Sequence, residues 1–222
     1  MAHVIFDCDG VLVDSEPLSM QADSEILASV GVIISPEDAH RRFVGKTFAA
    51  MIEEVSREFG VSLPADSSAR KDARLLELYE AALKPVDGVA DALAALMPRG
   101  MSIASNSPAT RVAAALRITG LSDFFGGRIV SFEHVAAGKP EPDVFIEAAR
   151  RAGHTPQDCI AIEDSVTGAT AARRAGCLVL GFTGTYPQPD EQARALLAAG
   201  AATAFSNMRD LPSLIAENNP LT

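Results

Sequence analysis

Short apolar runs alternate along this chain with stretches of helical period, and the order of the two kinds of segment is informative. His3-Val4-Ile5-Phe6 is an almost unbroken apolar run that stops at a carboxylate, as expected of a strand buried on both faces of a parallel sheet. From about Ser15 to Lys84 the pattern is helical and no convincing strand interrupts it. Leu18, Ala22, Ile26 and Val30 repeat every four residues before Gly31. Phe48, Met51, Ile52, Val55 and Phe59 form a second stripe ahead of Gly60, and Ala69, Ala73, Leu76, Tyr79 and Leu83 form a third. Such stripes are core packing, and together they predict a small helical subdomain inserted after the first strand, with hinges around Asp14–Pro17 and Lys84–Gly88. Three plain crossover helices are the competing interpretation.

From Val89 onward helix and strand alternate, the signature of an α/β parallel sheet. Strands are predicted over Met101–Ala104, Arg128–Ser131, Cys159–Ile162, Leu178–Phe182 and Thr203–Phe205. Helices are predicted over Val89–Leu96, after Ser107-Pro108, over Val144–Ala152, after Ser165 and from about Asp190 to Ala199. Ser107 suits the capping position of its helix and Pro108 the first turn.

Composition narrows the partners. With 222 residues, 48% of them hydrophobic, the chain can bury a substantial core. A net charge of -10 argues against sequence-independent nucleic-acid binding, so an anionic ligand needs cations placed locally. The N-terminus lacks a basic region followed by an apolar core, and no stretch approaches a membrane span, so a cytoplasmic protein is expected. Cys8, Cys159 and Cys177 sit far apart in apolar runs, which fits reduced buried thiols better than disulfides or a zinc site.

Ligands of open parallel sheets bind outside the carboxyl ends of the strands. Three predicted strands here end in polar residues: Asp7 and Asp9, then Ser105 and Asn106, then Glu163 and Asp164. A loop carrying Lys139 follows another strand. Asp7 and Asp9 fall on one face of an extended backbone, with Gly10 allowing a sharp turn beyond them. Carboxylates forced together repel, and hard Mg²⁺ is their usual partner; an acidic turn after a strand is the plainer alternative. Gly45-Lys46-Thr47 echoes a phosphate-binding P-loop, but His40 holds the earlier glycine position in helical surroundings.

DCDGVLVDSE at 7–16, SNS at 105–107, GKPEPD at 138–143 and IEDSVTGATAARRAG at 162–176 follow one another in an order that resembles the haloacid dehalogenase superfamily of phosphohydrolases. Within it, the chain resembles the β-phosphoglucomutase-like branch with a helical cap. The resemblance implies a Rossmann-like sheet with helices on both faces, built from residues 1–14 and 87–222, and a mobile cap over residues 15–86. It implies Asp7 as the nucleophile that forms an aspartyl-phosphate and Asp9 as the acid that protonates the leaving oxygen and then activates water. Those roles require the two carboxyls to differ in protonation at the outset. Ser105, assisted by Asn106, would bind the phosphoryl oxygens, and Lys139 would neutralise charge on phosphate and Asp7. Mg²⁺ would be held by Asp7, the Asp9 carbonyl oxygen, Asp164 and Glu163, the last directly or through water. Lys46 would face the substrate from the cap.

The implied activity is hydrolysis of a small phosphorylated metabolite, a sugar phosphate such as 6-phosphogluconate, by a monomer without nucleic-acid or membrane partners. A sugar phosphomutase is the alternative; mutases of this branch carry a His where this chain has Ser19 and an Arg where it has Phe48.

Overall fold

A computed structural model describes residues 2–43 and 48–218, which leaves Lys46 outside the described residues. In chain order the elements are β1 (His3–Phe6), α1 (Glu16–Ala28), α2 (Pro36–Phe43), α3 (Phe48–Phe59), α4 (Ser67–Ala82), α5 (Val89–Leu96), β2 (Met101–Ser105), α6 (Ala109–Ile118), α7 (Ser122–Phe125), β3 (Ile129–Ser131), α8 (Asp143–Arg151), β4 (Cys159–Glu163), α9 (Val166–Ala175), β5 (Leu178–Phe182), α10 (Pro189–Ala198), β6 (Thr203–Phe205) and α11 (Leu211–Glu217). By internal packing the chain divides into two compact units, residues 1–14 with 84–222, and Ser15–Leu83.

The first unit is an α/β layer structure around a parallel sheet of strand order β3-β2-β1-β4-β5-β6. The chain runs outward from β1 to β3, then returns to lay β4 beside β1, so the strand order reverses between these two central strands. Both are wholly buried, which explains why their sequences are continuous apolar runs and not alternating ones. Side chains on either side of β1 find different helices because successive residues point to opposite faces. Ile5 belongs to one buried apolar cluster with Val144, Phe145 and Ala148 of α8 and Ala169 and Ala172 of α9. Phe6 meets Phe125 of α7 edge-on, with ring centroids 6.0 Å apart. Helices therefore cover both faces.

The end of β1 away from its carboxylates is occupied by His3, whose Nε2 lies 2.8 Å from Ser102 Oγ and whose ring stacks on His154. Cys8, Cys159 and Cys177 are free and buried; burial pushes the Cys8 thiol well up, which suits an inert core residue.

Within the second unit, Leu27, Val32, Met51 and Val55 form the apolar centre, with Phe43 and Phe48 packed against them. The α4 face differs from the sequence expectation: Leu75, Leu78 and Tyr79 are buried, whereas Leu76 is exposed. Two overlapping helical stripes one position apart compete in this segment, and packing against α1 selects between them. Lys71 and Arg74 then reach across to α1, pairing with Asp23 and Glu25 at 2.6 Å each. Helix α2 falls inside the stretch whose pattern is helical but carries no apolar stripe of its own, because Pro36-Glu37-Asp38-Ala39-His40-Arg41-Arg42-Phe43 is mostly polar.

Among the described residues no helix is long and apolar enough to cross a membrane.

Candidate active site

The site grows from the carboxyl ends of β1 and β4. The ladder between them continues one residue beyond β1, since Asp7 N–H donates to the Ile162 carbonyl at 2.9 Å, and this sets Asp7 level with Glu163. The chain then leaves the sheet in a tight turn: Gly10 N–H donates to Val13 O and Leu12 N–H to Cys8 O, each at 2.9 Å. Gly10 has φ +77°, and a Cβ there would lie 2.0 Å from Asp164 Oδ2. Only glycine satisfies both the left-handed backbone and the approach of that carboxylate.

Lys139 binds the two strand ends together. Its Nζ donates to Asp7 Oδ1 at 2.8 Å and to Glu163 Oε1 at 2.6 Å, all three groups being buried. Burial alone would pull the ammonium down, but the two carboxylates outweigh it and hold its pKa above the ordinary lysine range. Asp7 is pushed up to about 7, chiefly by burial; Lys139 opposes the rise, and Glu163 and Asp9 add to it. The second Glu163 oxygen accepts from Ser165 Oγ at 3.1 Å. Ser165 Oγ in turn caps α9 by accepting from Gly168 N–H at 3.0 Å.

Asp7, Glu163 and Asp164 each present one carboxylate oxygen within 4.8 Å of the others. All three are buried, and Lys139 pairs with two of them, Asp7 and Glu163. A hard divalent cation with oxygen ligands fits this donor set, because three buried carboxylates that converge repel one another and such a cation takes carboxylate oxygens as ligands. Tyr186 Oη donates to Asp164 Oδ2 at 3.3 Å, and Gln192 Nε2 donates to the Asp164 carbonyl.

The remaining predicted residues are placed less simply. Ser105 is buried and its Oγ accepts from Ser107 N–H at 3.0 Å. Both ends of the Asn106 amide are engaged by Lys139: Oδ1 accepts from Lys139 N–H at 2.8 Å and Nδ2 donates to Lys139 O at 3.0 Å. The Asn106 side chain therefore fixes the lysine loop. The Asp9 carboxylate is not one of the three grouped carboxylates; its Oδ2 accepts from Ser107 Oγ at 2.6 Å. Ser107 does not cap α6 as its sequence context suggests, since Pro108 holds the cap position without a side-chain bond.

Gly168, inside α9, gives a direct test of this packing. A Cβ there would sit 2.0 Å from Glu163 Oε1. Gly168→Ala is expected to destabilise the fold by about 1–3 kcal/mol, as for an overpacked core, and so to lower the unfolding midpoint, despite the better helix propensity of Ala. Thermal unfolding checks this, and a neutral or stabilising result would contradict the close approach of Glu163 to the helix.

A family model for haloacid dehalogenase-like hydrolases matches residues 1–176. The chain belongs to that family. Its relatives include 6-phosphogluconate phosphatase of Escherichia coli, 28% identical over 95% of this chain and 93% of that one. Hexitol phosphatase B of the same organism is 33% identical over 77% of this chain and 78% of its own length. Among solved structures, a haloacid dehalogenase-like hydrolase of Deinococcus radiodurans with bound phosphate and sodium superposes with TM-score 0.81 at 32% identity, covering 100% of this chain and 98% of the other. The protein is thus an enzyme, a phosphatase of the haloacid dehalogenase-like hydrolases.

Proposed function

We propose that this family member hydrolyses small sugar phosphates in a magnesium-dependent reaction through an aspartyl-phosphate on Asp7. The observation that carries this proposal is Asp7 itself, held by Lys139 at the carboxyl end of β1 and grouped with Glu163 and Asp164 where the strand order reverses. Mg²⁺ would be held by Asp7, Asp164, Glu163 and the Asp9 carbonyl oxygen, and when bound it supplies charge neutralisation for the phosphoryl group and for Asp7.

The chain's own residues account for the rest of the reaction. Asp7 attacks phosphorus, and the carboxyl of Asp9 gives its proton to the leaving oxygen. Asp9 then takes a proton from the water that releases phosphate from Asp7. Lys139 sets the position of the Asp7 oxygen it contacts and keeps charge beside it through both halves. Ser105 and the main chain of Asn106 are the candidate donors to the phosphoryl oxygens, while Lys46 remains a candidate substrate contact from residues 15–86, the proposed cap. The catalytic core is then residues 1–14 and 87–222. The relatives' names favour sugar phosphates, 6-phosphogluconate among them. Free buried cysteines accord with a cytoplasmic protein, and a monomer suffices for the chemistry.

A panel of phosphorylated sugars and sugar acids tests the assignment. With Mg²⁺ the enzyme is expected to release inorganic phosphate from at least one of them and to lose that activity in EDTA. Hexose 1-phosphates are expected to yield phosphate and not the 6-phosphate isomer. Metal-independent turnover or isomer formation would contradict the proposal.

A further inference from the structure

Ser107 is diverted from the capping role that its place before Pro108 and α6 would give it. The first amide of that helix is served from elsewhere: Ala109 N–H donates to Glu133 Oε2 at 2.8 Å, and Glu133 is steadied by Ser131, whose Oγ accepts from Glu133 N–H at 3.1 Å. Ser107 is buried, its N–H is fixed on Ser105 Oγ, and its hydroxyl donates to Asp9 Oδ2 at 2.6 Å. The same hydroxyl oxygen accepts from Arg111 Nη2 at 2.9 Å. Arg111 lies in the first turn of α6, where the helix dipole disfavours a cation. Its guanidinium there backs a hydroxyl that points at a carboxylate.

We propose that Ser107 and Arg111 are positioning residues that hold Asp9 for proton exchange with the leaving group. The proposal rests on the acid–base role given to Asp9 above. With Oδ2 bound by the Ser107 hydroxyl, Oδ1 carries the transferable proton. In the first half-reaction the bond from the Asp7 oxygen to phosphorus forms as the bond from phosphorus to the leaving oxygen breaks. The leaving oxygen keeps the electron pair and takes the proton from Asp9 Oδ1. The carboxylate that appears on Asp9 is met by the Ser107 O–H, which Arg111 polarises through a charge-assisted hydrogen bond. In the second half Oδ1 takes a proton from water, the water oxygen bonds to phosphorus, and the bond to Asp7 breaks to restore its carboxylate.

The arrangement makes Ser107 and Arg111 matter most when the leaving group is poor and needs its proton early. A series of substituted phenyl phosphates, from p-nitrophenyl phosphate to phenyl phosphate, reads this directly. For Ser107→Ala and Arg111→Gln, kcat/KM is expected to depend more steeply on leaving-group acidity than in the parent. Phenyl phosphate should lose about 10-fold more than p-nitrophenyl phosphate, a part of the roughly 10²–10⁴-fold that a general acid contributes in full. Ser107→Thr keeps the hydroxyl and is expected to restore the parental slope; Arg111→Gln, half-buried at the helix surface, provides a second variant should Ser107→Ala fold poorly. An equal loss across the series, or a change confined to KM, would overturn the proposal. Asp9→Asn separates the two levels. If Asp9→Asn steepens the dependence and neither Ser107→Ala nor Arg111→Gln does, the positioning proposal fails alone; if Asp9→Asn leaves the slope unchanged, the acid–base role of Asp9 fails with it.

Discussion

Lys139→Met is expected to destabilise the protein by about 3–5 kcal/mol near pH 8, because the methionine leaves Asp7 and Glu163 buried without their shared cation. For a chain of this size that is a fall of roughly 10 °C in the unfolding midpoint. The deficit should shrink as the pH is lowered. Asp7 is already pushed up to about 7 in the presence of Lys139, and removing the ammonium raises it further in the folded state alone. A folded-state pKa above the unfolded value means that the folded protein binds more protons, so its stability improves as pH falls through that value. Thermal unfolding of parent and variant from pH 8 to pH 5 measures the gap. A gap independent of pH would mean that the ammonium contributes packing and little charge. Activity is expected to fall with Lys139→Met at every pH in this window, since the cation beside the attacking oxygen is gone.

Asp7→Asn is expected to abolish phosphate release, by about 10⁴-fold or more as for other enzymes stripped of their nucleophile, while the fold persists. An amide at this position keeps the shape of the carboxyl, sheds a buried charge and still offers Lys139 a carbonyl oxygen. Far-UV circular dichroism and thermal unfolding should therefore remain near the parent's. Steady-state phosphate release with Mg²⁺ makes the comparison; a variant with parental turnover would remove Asp7 from the chemistry.

β1, β2 and β4 were legible because each is a short apolar run buried on both faces, which leaves little room for another periodicity. The polar residues at their ends were legible for the same reason, as abrupt breaks in those runs, and Asp7, Glu163 and Asp164 do converge with Lys139. Side-chain direction was not. Asn106 faces the Lys139 main chain, and Ser107 faces Asp9 because Glu133 takes over a helix amide from a distant turn. Tyr186 and Gln192 reach Asp164 from the segment after β5, and neither carries a local signal that could announce it. Helix α2 and the exposed position of Leu76 show the complementary limit: where polar residues dominate, or two stripes overlap, the neighbouring helix decides.

The account turns on a covalent bond between Asp7 and phosphorus. Acid quenching during turnover with a substrate from the panel, followed by mass spectrometry of the peptide that contains Asp7, looks for that bond directly. The account predicts a phosphoryl group on Asp7 that Asp7→Asn no longer acquires. Active enzyme quenched under the same conditions with the phosphoryl group on another residue, or on none, would contradict it.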